Sequence, residues 1–269
     1  LSNLSSLGGP LYLYHNANLS DISAVDEVTV VGADQAAEGK DAPIYLQSNP
    51  KLGSLMGLDQ VQEIRGDLHI RDCGTAAGYE LVDLTELGAL TTINGRVYVF
   101  GNSELTSLFG ASSALEVIKG NATGQAVYIQ DNPSLIDLAG ITGSGGTRVT
   151  TVASITINNN DALTDLSGLD GLEDVNGDVY VNNNAAITTF PVLASLTQIS
   201  GTLDLGYNGT ESNRITDLGF TGLTQVSTLR IRQSFFEPTS YADNAAVEAY
   251  FSGATITTTD VTNNDFTLP

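Results

Sequence analysis

Two histidines and a single cysteine are all that the chain offers for imidazole or thiol chemistry, and two of the three stand close together. The segment Asp67-Leu-His69-Ile-Arg71-Asp-Cys73 holds a carboxylate, an imidazole, a guanidinium and a thiol. Such a set supports nucleophilic catalysis only if thiol and imidazole converge. The repeat described below puts Cys73 at an inward position and His69 at an outward one, so Cys73 is read as structural. A second set is the acidic run Asp161, Asp165, Asp170, Glu173, Asp174 and Asp178. Calcium needs several oxygens meeting at one point, whereas these carboxylates are spread around one whole repeat. Calcium is therefore a weak alternative to a solvated acidic rim. No Gly-x-Ser-x-Gly, phosphate-loop or zinc-ligand spacing is present. The expectation is a protein without catalytic residues, cofactor or metal.

What positions all of these groups is a repeat. Ile155 to Thr202 reads as two consecutive 24-residue lines, ITINNNDALTDLSGLDGLEDVNGD and VYVNNNAAITTFPVLASLTQISGT. The same opening recurs at Leu11, Ile44, Leu68, Val97, Val127, Ile155, Val179, Leu203 and Leu229. Alternating apolar residues at each start predict a short strand with one buried face. Three residues after the second apolar position comes Asn16, Asn49, Cys73, Asn102, Asn132, Asn160, Asn184 and Asn208. An amide side chain there can satisfy backbone groups that a buried turn leaves unpaired. Apolar residues every third position, such as Leu163, Leu166, Leu169, Leu172 and Val175, then line the other sides of the coil. Gly66, Gly95, Gly177 and Gly201 precede the next strand, where a tight turn is expected. No coil buries its face alone, so stacking must do it.

Longer spacings imply insertions at Val30 to Asp41, Gly74 to Glu80, Gly120 to Gln125 and Gly143 to Arg148. No composition break divides the chain, so one solenoid domain over residues 1–269 is expected. Residues 1–10 read as an N-terminal edge, 11–234 as repeats and 235–269 as a C-terminal cap. In that cap Ser240 precedes YADNAAVEAYF, a helix pattern with Gly253 after it, and ATITTTD can add a strand.

Strand alternation sends one column of side chains outward: Tyr12, Tyr45, His69, Tyr98, Tyr128, Thr156, Tyr180, Asp204 and Arg230. The adjacent outward column holds Tyr14, Gln47, Arg71, Phe100, Gln130, Asn158, Asn182 and Gly206. With strands about 4.8 Å apart, an aromatic ladder flanked by amides is expected. Tyr12, Tyr14, Tyr45, His69, Arg71, Tyr98, Phe100, Tyr128 and Tyr180 are the candidate ligand-binding residues. Aromatic planes and amides suit sugar rings or peptide side chains; equally, tyrosine favours strands and aromatic neighbours stabilise sheets. An ice-binding face would need a flat threonine array, which this column lacks.

The net charge of −21, from 31 acidic against 10 basic residues, disfavours nucleic acid and anionic lipid partners. One cysteine excludes an intrachain disulfide. No apolar run reaches the roughly 20 residues of a membrane-spanning helix. The absence of an initiating Met and of a leader pattern reads as a mature or excised segment, which favours export. Asn3, Asn18, Asn121 and Asn208 lie in Asn-x-Ser/Thr sequons, so N-glycosylation is possible at each.

The strand, the Asn or Cys position and the spaced leucines resemble the leucine-rich-repeat superfamily. The Asn-x-x-Leu spacing in NPKL at Asn49 and NPSL at Asn132, with GLDQVQEIRGDLHI from Gly57 and GLEDVNGDVYV from Gly171, is similar to the receptor L-domain. The likeness covers Leu11 to Ile231 and lacks that family's disulfides. It implies a mainly β, right-handed parallel β-solenoid of eight to nine coils with a short C-terminal capping helix. It also implies an extracellular or cell-surface, non-catalytic recognition or adhesion module that binds a glycan or protein. The alternative is a structural subunit that self-assembles with copies of itself into a fibre or surface layer.

Overall fold

The computed structural model describes residues 4–34, 42–121, 123–143, 148–164, 166–187, 193–206, 220–232 and 253–262. Its strands, in chain order, are β1 (Ser6–Leu7), β2 (Leu11–Tyr14), β3 (Val30–Val31), β4 (Ile44–Gln47), β5 (Glu63–Ile64), β6 (Leu68–Arg71), β7 (Thr92–Ile93), β8 (Val97–Phe100) and β9 (Val117–Ile118). They continue as β10 (Gln125–Gln130), β11 (Thr151–Val152), β12 (Ser154–Asn158), β13 (Asp174–Val175), β14 (Val179–Asn182), β15 (Gln198–Gly206), β16 (Gln225–Arg232) and β17 (Thr255–Thr262). The pairings between them are parallel. The chain is a mainly β parallel solenoid, and each of the nine expected strand starts lies within a strand of its large sheet.

That sheet stacks β2, β4, β6, β8, β10, β12, β14, β15, β16 and β17 side by side. A second, narrow sheet stacks the two-residue strands β1, β3, β5, β7 and β9. Farther along, β11 and β13 lead into β15, which is long enough to belong to both columns. The corner between the columns thus flattens into a bulge between Ile199 and Thr202. Single 3-10 turns at Ser23–Val25, Thr85–Leu87 and Ser167–Leu169 carry the chain around the opposite side. One apolar core runs from Ile22 to Ile231 through the whole stack.

The asparagine positions form a ladder through that core. Asn49, Asn102, Asn132, Asn160 and Asn184 are fully buried. The Oδ1 of each accepts the backbone N–H of the ladder residue one coil earlier: Asn49 from Asn16 at 3.1 Å, Asn102 from Cys73 at 3.0 Å, Asn132 from Asn102 at 3.0 Å, Asn160 from Asn132 at 3.1 Å and Asn184 from Asn160 at 3.0 Å. The Nδ2 groups donate back to strand carbonyls of the earlier coil, as from Asn132 to Val99 and from Asn160 to Ile129. The backbone reaches these positions through a residue in the left-handed region. His15, Ser48, Asp72, Asp131, Asn159 and Asn183 have φ from 50° to 57°, and Gly101 takes the same place with φ 69°. Small polar residues tolerate this conformation better than others.

The corner glycines serve a different purpose from the one expected. Gly95, Gly177 and Gly201 do not have left-handed φ. Space dictates them: a Cβ on Gly95 would stand 2.6 Å from the Asp67 nitrogen, and one on Gly201 2.7 Å from the Gly177 oxygen. Coils touch backbone to backbone at this corner. Asp67 and Asp178 then tie it down, accepting the Arg96 N–H at 2.8 Å and the Thr202 N–H at 2.7 Å.

The expected insertion at Val30 begins instead with strand β3, which pairs with β1 and β5. Strand β17 extends the large sheet into the region expected as a cap, by pairing with β16. The helix expected after Ser240, the ladder position at Asn208, Asp165 and the sequon at Asn3 lie outside the described residues. No helix among the described residues is long and apolar enough to cross a membrane.

The ladder makes a quantitative expectation possible. Asn132→Ala removes the acceptor for Asn102 and the donors to Val99 and Gln130, leaving buried backbone groups unpaired, for a loss of about 2–4 kcal/mol. Asn16 lies exposed on the first coil, so Asn16→Ala should cost below ~1 kcal/mol. Urea unfolding midpoints of the two variants measure the difference.

Candidate functional site

Register sets the outward face. Because β2, β4, β6, β8, β10, β12 and β14 pair without slippage at these positions, Tyr12, Tyr45, His69, Tyr98, Tyr128, Thr156 and Tyr180 are direct cross-strand neighbours. The rings respond by stacking on one another. Tyr45 and His69 lie 3.6 Å apart at 13°, His69 and Tyr98 4.2 Å apart at 11°, and Tyr98 and Tyr128 4.8 Å apart at 4°. Tyr12 and Tyr14 gather at the β2 end against Tyr45. They are 50% and 42% exposed.

This geometry changes what the face presents. Ring planes in the middle of the ladder are covered by the next ring, so solvent meets edges and hydroxyls rather than flat surfaces. Arg96 lies 4.7 Å over the Tyr98 ring while bonding Asp67 and Gln125, and Arg71 lies 4.7 Å over Phe100 while pairing with Asp72. Both guanidiniums brace the face by cation–π contact. Tyr128 donates its hydroxyl to Gln130 Oε1, and Tyr180 donates to Asp178 Oδ2 at 3.2 Å. Burial raises the Tyr98, Tyr128 and Tyr180 phenols above the ordinary value, so they are neutral donors at neutral pH. Tyr180 stands apart from the continuous ladder, because Thr156 occupies the rung between it and Tyr128.

His69 occupies the expected outward column yet is only 3% exposed, sandwiched between Tyr45 and Tyr98. Neither ring nitrogen has a hydrogen-bond partner among the described residues. Burial first, then the Arg96 and Arg71 charges, lower its pKa from 6.5 to about 3. A neutral, unhydrated imidazole in a stack is a packing group. Cys73 takes the ladder place between Asn49 and Asn102, with its Sγ 3.6 Å from the Leu46 carbonyl. It is fully buried, and burial pushes the thiol up to about 11. His69 on the strand thus joins the outer stack while Cys73, in the turn after it, points into the core, and neither is activated.

Among the described residues no three His, Cys, Asp or Glu side chains are grouped to hold a metal ion. Of the described sequons, Asn18 is exposed and accepts from Lys51. The Asn121 Oδ1 accepts from Thr123 and Gln125 within its own turn. A groove of about 340 Å³ lies where β9 and β11 fail to pair, lined by Glu116, Lys119, Arg148, Thr150 and Asn176 among others. Sequence periodicity gave no hint of it, because it arises from a break in the narrow column.

The lowered His69 pKa has a pH consequence. Its folded value lies below the unfolded one, so between about pH 6.5 and pH 3 the unfolded chain binds the proton that the folded stack refuses. Stability should therefore fall as pH drops through that window. Arg71, Arg96, Tyr45 and Tyr98 surround the ring. His69→Phe should remain constant relative to wild type above pH 7 and gain on it below pH 6, as read by urea midpoints across pH.

No family model, curated protein or solved structure matches this chain.

Proposed function

We propose that the protein is a non-catalytic recognition or adhesion module, acting at the cell surface or outside the cell, that binds a glycan or protein on the outward face of the large sheet. The observation that carries this reading is the ladder from Tyr12 to Tyr128, braced by Arg71 and Arg96 and bordered by Gln47, Gln130, Asn158 and Asn182. Its phenol, amide and guanidinium groups form a fixed array of hydrogen-bond donors and acceptors on a rigid sheet. Preorganised groups lose little entropy on binding. The likeness of the repeats to receptor L-domains, which bind ligands without chemistry, supports the same class.

A second reading rests on strand β2. Among the described residues it pairs only with β4, and its inward Leu11 and Leu13 are only partly buried. An edge of this kind is a template for further strands. It favours a structural subunit whose copies stack end to end into a fibre or surface layer.

One comparison separates the two. Gln47→Glu with Gln130→Glu adds charge to the face and replaces no ladder ring or edge residue; the Gln130 change keeps an acceptor for the Tyr128 hydroxyl and gives up the bond to Asp131. Recognition predicts loss of binding on a glycan array and in a cell-surface screen, with unchanged size in solution. Assembly predicts growth in size with protein concentration, unaffected by this pair and blocked by Leu13→Lys. A strictly monomeric wild type removes the assembly reading, and a wild type that binds nothing in either screen removes the recognition reading.

A further inference from the structure

The ladder has one missing rung, and it is in the middle of the face. At β12 the outward residue is Thr156, between Tyr128 on β10 and Tyr180 on β14. Tyr98 covers one face of the Tyr128 ring at 4.8 Å and 4°, and no ring covers the other among the described residues. Two strand steps separate the Tyr128 and Tyr180 backbones by about 9.6 Å. A flat ring in contact on both sides needs about 7 Å. The two phenols also lean apart along the strands, Tyr128 toward Gln130 and Tyr180 toward Asp178. The step above Thr156, which is partly exposed, therefore holds no ring, with the free face of Tyr128 on one side and Tyr180 on the other.

The floor of the gap is polar. Thr156 makes no side-chain hydrogen bond among the described residues. Asn158 gives its Oδ1 to the Asn182 N–H at 3.1 Å, which leaves its Nδ2 hydrogens without a partner there. An aromatic side chain from a partner protein would cover these donors without satisfying them, at a cost comparable to a lost hydrogen bond. A sugar ring does the opposite, with its C–H face on the phenol plane and its hydroxyls toward the threonine and the amide. Asp131 and Asp178 border the site, on a chain of net charge −21, and disfavour an anionic sugar.

We infer that the gap at Thr156 is a carbohydrate subsite, in which a neutral pyranose ring takes the place of the missing rung and stacks on the free face of Tyr128. This rests on the recognition reading above and names its ligand class and position. The ring faces between Tyr45 and Tyr128 cannot serve, since each is closed by its neighbour.

The experiment uses the whole chain on an array of neutral and anionic oligosaccharides, followed by titration with the best neutral one. Thr156→Tyr completes the ladder and should weaken that glycan tenfold or more, about the effect of losing 1.4 kcal/mol of contact. Tyr128→Ala should do the same, and Tyr79→Ala, which removes an exposed ring outside the large sheet, should leave affinity within about twofold, since 0.4 kcal/mol is near the limit of resolution. Because Thr156→Tyr adds a ring to an outward position, its fold is checked by an unchanged urea midpoint. Wild-type affinity in a folded Thr156→Tyr overturns the subsite but leaves glycan recognition standing. Binding confined to anionic glycans, or to a protein alone, also overturns the subsite while the recognition reading survives. Binding to nothing in either screen removes both.

Discussion

Among the described residues, the coils that begin at β2, β6, β8, β10 and β12 each depend on one hydrogen bond that their own residues cannot make. After the outer strand the backbone turns inward through a left-handed residue, and the next N–H is buried with no partner in its own coil. The Oδ1 of an asparagine one coil later supplies the partner, and that asparagine needs the coil after it in turn. A buried amide left unpaired costs as much as the ladder bond returns. The device therefore ties neighbouring coils together more strictly than apolar packing, which tolerates sliding. It also explains how 269 residues with a single cysteine hold a stack together without a cross-link. Cys73 marks the limit of the substitution. Its thiol is a weak donor to the Leu46 carbonyl, Asn49 faces the sulfur with its backbone N–H and its amide, and the N–H of Cys73 itself relies on Asn102.

Strict register has consequences on the outside. Once the ladder fixes each strand against the next, side chains at equivalent positions must meet at the strand spacing, which suits stacked aromatic rings. The rings from Tyr45 to Tyr128 accept this and lie nearly parallel. His69 shows how strongly. It gives up hydrogen bonds at both nitrogens, and its charge below about pH 6.5, to sit between two phenols. The imidazole then behaves as a flat packing element, and the chemistry that its proximity to Cys73 in sequence suggests is lost to burial on one side and to the strand on the other.

The parts of this arrangement legible in the sequence are those with period and repetition. Strand starts from Leu11 to Leu229 were readable because two alternating apolar residues recur before the same amide. Strand β17 was readable from ATITTTD. The two-residue strands of the narrow sheet were not, since a pair such as Thr92–Ile93 carries no alternation. The left-handed column is hidden in the sequence because its members differ in type, although His15, Ser48, Asp72, Gly101, Asp131, Asn159 and Asn183 each precede the ladder residue, and most belong to the small polar class that tolerates φ above zero. The glycine corner is legible as a tight turn before each strand, but its cause is not: the close approach of two backbones is what excludes a Cβ. Outward direction was legible for the tyrosines, but exposure was not. Alternation gives the side of the sheet, while burial of His69 comes from Tyr45 and Tyr98, each a whole coil away.

A ladder that satisfies itself is a poor place to bind anything flat. Stacking on the next coil removes each ring face from solvent, so a longer uninterrupted ladder offers more edge and no more plane. The tyrosine count on this face is thus a misleading guide to where contact occurs. What matters is where the register continues but the ring does not. At Thr156 the backbone keeps the spacing that the asparagines impose, the neighbouring phenol keeps the orientation that Tyr98 imposes, and the side chain between them is too short to fill the step. The same rigidity that closes the ladder between Tyr45 and Tyr128 holds this step open, wider than one ring in contact on both sides needs.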